Sequence, residues 1–307
     1  MHYMCCEEAN LKSGFIAIIG KPNAGKSTLI NTLLEEKVSI VTNKAQTTRN
    51  AILGIYNDSD TQIIFIDTPG IHKASSSLDT YMNKEAMSQA VGVDVIYYIC
   101  DAKIGLSLED RVIIEQLFNY EVPVFLLLNK IDTISKNDLI RRIEYASKNY
   151  KFEEIIPISA LNKENIQELL NTSKKYLKDS IQYYPRDAKT VSTINFQIAE
   201  IIREKIILNT FEEVPHLVAV QVENIKENDS KVYIDASIIC NKNSHKAIII
   251  GKQGNMLKKI NMASSKDIKE LFNKRIILSL YVKVEEDWLN KEKKLFDLGY
   301  FKGDKDE

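Results

Sequence analysis

Residues 20–27 read GKPNAGKS, that is Gly-x-x-x-x-Gly-Lys-Ser. The apolar run Phe15–Gly20 leads into this stretch, and a helical run, Thr28–Glu35, leaves it. A strand, a glycine loop and a helix in that order make a phosphate-binding P-loop. Gly20 and Gly25 let the chain turn tightly, so main-chain N–H groups can surround phosphate oxygens. The following helix adds the positive end of its dipole. Lys26 is placed to neutralise the β and γ phosphates, and Ser27 to ligate Mg²⁺. Gly20, Lys21, Pro22, Asn23, Ala24, Gly25, Lys26, Ser27 and Thr28 are therefore expected to line a nucleoside triphosphate. The motif is silent on the base.

Around this loop, short apolar runs alternate with helical patterns. Candidate strands are Phe15–Gly20, Gln62–Asp67, Val95–Asp101, Val124–Asn129 and Ile155–Ser159. Runs such as IIFID, VIYYICD and VFLLLNK are almost unbroken in Ile, Val, Leu, Tyr and Phe, as in strands buried on both faces of a parallel sheet. Ser107–Tyr120 and Ser135–Asn149 read as helices between them, and Glu164 to about Asp179 as the closing helix. The repetition predicts a doubly wound, mostly parallel α/β domain with its ligand at the carboxyl ends of the strands.

Asp67-Thr68-Pro69-Gly70 ends the second of these strands. Asp67 is expected in the Mg²⁺ shell, and the Gly70 N–H can approach the γ-phosphate because no Cβ intervenes. Asn129-Lys130-Ile131-Asp132 ends another strand. Guanine presents two donors on one edge, and a carboxylate accepts both in a bidentate pair. Adenine offers a bare N1 there, so Asp132 selects guanine. The Lys130 stem can cover the ring face, and Asn129 can tie this loop to the P-loop. Ser159-Ala160-Leu161 follows the last strand, where the Ala160 N–H can donate to guanine O6. Ile71, after Gly70, occupies the place where Ras-like GTPases carry a water-orienting Gln. Its side chain cannot hydrogen-bond water, so slow intrinsic hydrolysis is expected.

GKPNAGKS, QTTR, DTPG, NKID and SAL, in this order, resemble the five signature motifs of a translation-factor-class GTPase over residues 15–180. The resemblance implies that Thr48, in Gln46-Thr47-Thr48-Arg49, closes onto Mg²⁺ and the γ-phosphate; Thr47 is the other candidate. It also implies a catalytic set of Lys26, Thr48, Gly70 and Asn23. Related GTPases with Asn at the position of Asn23 hold a K⁺ that acts like an arginine finger, although Asn23 can also simply fix the loop.

The pattern changes after QYYPRDAKT, residues 182–190. Ile194–Leu208 reads as an amphipathic helix. His216–Ile225 and Lys231–Cys240 read as strands joined by KENDS, and a last strand lies near Ile276–Val284. Gly251-Lys252-Gln253-Gly254 sits between two helical segments, as the backbone clamp of a KH domain does. From Lys242 to Arg275 nine basic residues face two acidic ones, a local net of +7, while the remaining 32 basic and 40 acidic residues leave −8. Such a stretch is an electrostatic footprint for a polyanion. Gly251, Lys252, Gln253, Gly254, Lys246, Lys258 and Lys259 are the expected RNA contacts.

The element order resembles the type II KH topology, an α+β fold. A P-loop GTPase followed by such a domain is similar to the Era family of ribosome-assembly GTPases, and EIIREK (200–205) and VKVEEDWLNKEKKLFDLGY (282–300) look like that family's segments. The resemblance spans about residues 14–301. It divides the chain into an N-terminal extension (1–13), a GTPase domain (14–181), a linker (182–192), a KH domain (193–288) and a tail (289–307). It implies hydrolysis of GTP to GDP with Mg²⁺ and stimulation by K⁺. It also implies binding of 16S rRNA near its 3′ end and a switch in 30S subunit assembly. A monomer, and peripheral association with the cell membrane, are further implications.

Bulk properties agree with a two-domain chain: 307 residues, 44% apolar, 27% charged, net charge −1. Cys5, Cys6, Cys100 and Cys240 form neither a disulfide framework nor a zinc spacing, which suits a reducing cytoplasm. No run approaches the roughly 20 apolar residues of a membrane helix. A nucleotide-binding structural factor would show no turnover, and a metabolic P-loop kinase would need a second acceptor site, for which no motif is visible.

Overall fold

The computed structural model describes residues 11–42, 44 and 47–300. They fall into two compact units. The first runs up to Ser39 and includes Asn50–His72 and Asn83–Val191. The second comprises Ile40–Arg49, Lys73–Met82 and everything from Ser192.

The first unit starts with β1 (Lys12–Ile19) and α1 (Lys26–Leu34). After β2 (Ile52–Asn57) and β3 (Thr61–Asp67), α2 (Ser77–Ser88) gives its residues from Asn83 onward to this unit. Then come β4 (Val95–Asp101), α3 (Leu108–Leu117), β5 (Val124–Asn129), α4 (Lys136–Asn149), β6 (Glu154–Ile158), α5 (Ile166–Ser173) and β7 (Lys178–Asp179). The sheet order is β2-β3-β1-β4-β5-β6. Every pair along it is parallel except β2 with β3. All seven residues of β3 are buried. Each fully buried Ile or Phe there contributes roughly 1.5–3 kcal/mol of hydrophobic stabilisation. One apolar layer holds Ile16, Ile18, Phe65, Tyr97 and Phe125, and the other Ala17, Ile19, Ile96, Tyr98 and Leu126. Alternate residues of each strand thus enter opposite layers, as a sheet sandwiched by helices requires.

Local capping sets the helix starts. Ser107 and Asp110 form a reciprocal capping box on α3, and the Asp138 N–H donates to Ser135 on α4. The expected helix from Glu164 to Asp179 is corrected: α5 stops at Ser173. Leu177 enters the core, and Lys178–Asp179 return as β7, antiparallel to Lys12–Ser13. Burying Leu177 and satisfying the edge of β1 outweigh continuing a short solvent-exposed helix. Residues 182–190 run along the edge strand, where the Ile55 N–H donates to the Lys189 carbonyl and Gly54 bridges Thr190.

The second unit contains α6 (Ile194–Asn209), β8 (Val218–Glu227), β9 (Lys231–Cys240), α7 (Asn243–Ile250), α8 (Asn255–Phe272), β10 (Arg275–Val284) and α9 (Glu292–Asp297). The strand expected from His216 starts at Val218, because Val214–His216 form a 3-10 turn with Pro215 inside it. The sheet order is β10-β9-β8, with β10 parallel and β8 antiparallel to β9. Ile202 and Ile206 of α6 and Ile260 and Ile268 of α8 cover one face with Val232, Ile234 and Ile238. On the other face, Ala219 and Ile239 meet Leu78, Met82, Trp288, Leu295 and Tyr300. Residues beyond 288 therefore complete a core. Cys100 and Cys240 are buried free thiols, while Cys5 and Cys6 lie outside the described residues. Among the described residues no helix is long and apolar enough to cross a membrane.

Candidate functional site

The P-loop joins β1 to α1, and Gly25 caps the helix with φ 102°. An L side chain rarely adopts that φ, and a Cβ there would lie 2.2 Å from Asn129 Nδ2. Asn23 is also left-handed, at φ 61°, which Asn tolerates better than most residues. Its side chain is exposed, and its carbonyl accepts from Lys130 Nζ at 2.7 Å. A Cβ on Gly70 would come within 2.9 Å of the Pro22 backbone, so the DTPG turn can lie against the phosphate loop only with glycine at this position.

Lys26 is buried, and its ammonium donates to the Gly20 carbonyl at 3.0 Å and the Lys21 carbonyl at 2.9 Å. Burial lowers its pKa to about 8, with Asp67 acting in the opposite direction. Ser27 Oγ donates to Asp67 Oδ2 at 2.8 Å, and Ser39 Oγ donates to the same oxygen at 2.7 Å. A hydroxyl and a carboxylate held together beside the phosphate loop are the hard oxygen donors that Mg²⁺ prefers. Ser39 was not singled out in the sequence, because a lone Ser in VSIVT has no distinguishing spacing. Thr68 Oγ1 donates to the Ile18 carbonyl at 2.7 Å, which ties the DTPG turn to β1. Ile71 gives its N–H to the Gly20 carbonyl and packs its side chain on the apolar layer.

The loops after β5 and β6 share one frame with the phosphate loop. Asn129 is buried; its Nδ2 donates to the Ala24 carbonyl at 2.8 Å, and its Oδ1 accepts from the Ala160 N–H at 3.0 Å. Lys130 Nζ pairs with Asp101 Oδ2 at 2.8 Å, a partner that sequence reasoning missed. Asp132 is exposed, and its Oδ1 accepts from Ser159 Oγ at 2.5 Å. An ionised carboxylate has about four lone-pair sites, so this bond leaves both oxygens able to accept from a base. Because the Ala160 N–H already serves Asn129, a contact to guanine O6 has to share or exchange that bond. Ile131 turns into the apolar layer and Leu161 is exposed.

The QTTR segment belongs to the second unit, apart from Gln46, which lies outside the described residues. Thr48 is buried. The Thr47 carbonyl accepts from Arg203, itself paired with Glu200. Arg49 donates to the carbonyls of His216 and Val218, both at 2.7 Å. Its guanidinium lies 5.7 Å from the Trp288 ring and 5.9 Å from that of Tyr300.

The Gly-x-x-Gly segment links α7 to α8 as a 3-10 turn, Lys252–Gly254. Gly251 has φ 73°, and a Cβ there would meet Met256 at 2.6 Å. Lys252, Gln253, Lys258 and Lys259 are exposed around the turn, with Lys246 half-buried on α7.

Two family models match: a 50S ribosome-binding GTPase over residues 15–130 and a KH domain over residues 213–289. GTPase Era of Ruminiclostridium cellulolyticum is 46% identical over 290 residues, covering 94% of this chain and 97% of its own. GTPase Era of Clostridium kluyveri is 44% identical over 291 residues, with 94% and 99% covered. Two solved structures match with TM-score 0.91 and 38% identity, each covering 94% of this chain and 99% of the other. One is Era in complex with MgGDPNP and nucleotides 1506–1542 of 16S ribosomal RNA; the other is an Aquifex aeolicus Era variant bound to GDP and AlF4⁻.

Proposed function

The chain belongs to the GTPase Era family, and from that premise we propose a switch. It binds GTP with Mg²⁺, hydrolyses it to GDP, and in its GTP form binds 16S rRNA near the 3′ end during 30S subunit assembly. The observation that carries this reading is Asn129, whose amide bridges Ala24 of the phosphate loop and Ala160 of the base loop. One buried side chain thereby holds the phosphate and base sites in a fixed relation.

In this mechanism the P-loop N–H groups and the Gly70 N–H take the phosphate oxygens. Lys26 leaves the Gly20 and Lys21 carbonyls for the β and γ phosphates. Ser27 and Asp67 would hold Mg²⁺, which would supply charge neutralisation to the phosphates. Asp132 accepts both guanine donors and Lys130 covers the ring. Ile71 orients no water, so catalysis needs another element; Asn23 is exposed at the mouth of the loop and suits a K⁺ ligand. Thr48 is the switch threonine. Its neighbours Thr47 and Arg49 are held within the second unit by Arg203 and by the His216 and Val218 carbonyls.

We read residues 14–181 as the GTPase domain, 182–192 as the linker, 193–288 as the RNA-binding domain and 289–307 as its tail. Gly251, Lys252, Gln253 and Gly254 clamp the RNA backbone, with Lys246, Lys258 and Lys259 beside them. The protein works in the cytoplasm, as a monomer, and any membrane association is peripheral. The test is titration of a 16S 3′-end fragment with the GTP-analogue and GDP forms, alongside phosphate release. Tighter RNA binding with the analogue is expected; equal affinity in both forms would remove the switch.

A further inference from the structure

We propose that RNA held at the Gly251–Gly254 clamp runs on along α8 into a second, phosphate-binding groove at the far end of that helix. This rests on the RNA-binding reading above. The groove has a volume of about 710 Å³ and lies between the C-terminal half of α8, the start of β10 and the turn joining β8 to β9. Lys266 and Lys269 line it from the helix, and Lys274 and Arg275 from the loop and strand.

The surrounding charges favour an anion. Asp229 is the one acid in the lining. Of the neighbouring acids, Glu227 pairs with Lys274 at 2.7 Å, and Asp267 is bonded to Lys205. Glu270 is exposed on the same helix and does not line the groove. Lys266, Lys269 and Arg275 are exposed and form no ion pair among the described residues. A solvated helix face would scatter its cations, whereas here two structural elements bring theirs into one concavity. Favourable placement at a helix C-terminus explains Lys269 but not Lys266, which precedes the last turn, nor Arg275, which is on the strand.

The path from the clamp is continuous. Lys258, Met262, Lys266 and Lys269 fall at i, i+4, i+8 and i+11, one face of a helix. Met262 is 65% exposed between the two basic ends, where it offers apolar surface to a base. The 18 residues of α8 span about 27 Å, well beyond the roughly four nucleotides a KH clamp holds.

The experiment uses the full chain and two single-stranded RNAs. One, of about four nucleotides, fills only the clamp; the other, of about a dozen, continues past it. Affinities are measured across a salt series for wild type and for Lys266→Gln with Lys269→Gln and Arg275→Gln. The variant should bind the short RNA as wild type does. It should lose about tenfold or more on the long RNA, with a salt slope smaller by about 2, since each phosphate contact to a single strand adds about 0.7. Wild-type affinity and slope on the long RNA, or an equal loss on both RNAs, would overturn the groove. Dependence on these three residues for anionic vesicles but not for RNA would overturn it in favour of a membrane. Wild type binding neither RNA would instead sink the RNA-binding reading itself.

Discussion

Ser159 Oγ donates to Asp132 Oδ1 over 2.5 Å, so the loop after β6 orients the carboxylate displayed by the loop after β5. On the proposed assignment of Asp132, base choice rests on two loops. Asp132→Asn should move preference from guanine toward xanthine, because an amide cannot accept both guanine donors. The loss on GTP should be roughly 2–3 kcal/mol, that of a charge-assisted pair. Ser159→Ala should weaken GTP about tenfold while leaving guanine preferred. Competition between GTP and XTP reads both variants, and unchanged selectivity in Asp132→Asn would defeat the assignment.

Lys26 carries a pH signature. Its folded pKa, lowered by burial to about 8, lies below the ordinary 10.5. Between those values the unfolded chain holds a proton that the folded chain lacks, so this group makes stability rise with pH in that window and adds nothing to the slope below it. A triphosphate favours the charged amine, so binding above about pH 8 should take up a proton, and affinity should fall up to about tenfold per pH unit. Calorimetry at about pH 9 in buffers of different ionisation enthalpy measures the uptake. Identical heats in every buffer would contradict it.

Asn23→Ala should still bind GTP but hydrolyse it at one rate in K⁺ and Na⁺. Wild type should be faster in K⁺. Equal wild-type rates in the two salts would leave Asn23 with only its left-handed place in the loop.

Arg49→Ala should destabilise the second unit by roughly 2–4 kcal/mol, because the buried Val218 carbonyl and the half-buried His216 carbonyl lose their donor. Arg49→Lys should recover only part of this, since an ammonium lacks the planar fork and the stacking on Trp288 and Tyr300. Urea unfolding midpoints decide it; wild-type midpoints for both variants would make the contact idle.

Much of the first unit could be read directly because its determinants are local. Buried parallel strands announce themselves as unbroken apolar runs, and GKPNAGKS, DTPG and NKID sit where those strands end. The GKQG turn was legible for the same reason. What stayed hidden depends on contacts far along the chain. QTTR reads as a switch segment, and nothing local in it says that Arg49 bonds the His216 carbonyl and Tyr300. Ser39 and Asp101 touch Asp67 and Lys130 only after folding. Leu177 ended a helix that its local sequence would have allowed to continue, because burial outweighed propensity. The Ala160 N–H is legible as a candidate donor to guanine O6, whereas its bond to Asn129 emerges only with the tertiary fold.

Arg49 and Tyr300 are 251 positions apart, which sets a timetable for biogenesis. At roughly 5–20 residues per second, a nascent chain that has just exposed Arg49 waits about ten to fifty seconds before Trp288 and Tyr300 are made. The nucleotide pocket, whose proposed ligands all precede residue 162, can form and load during that interval. During translation the molecule therefore passes through a period in which its guanine site is built while the segment carrying Thr48 has not yet been fastened.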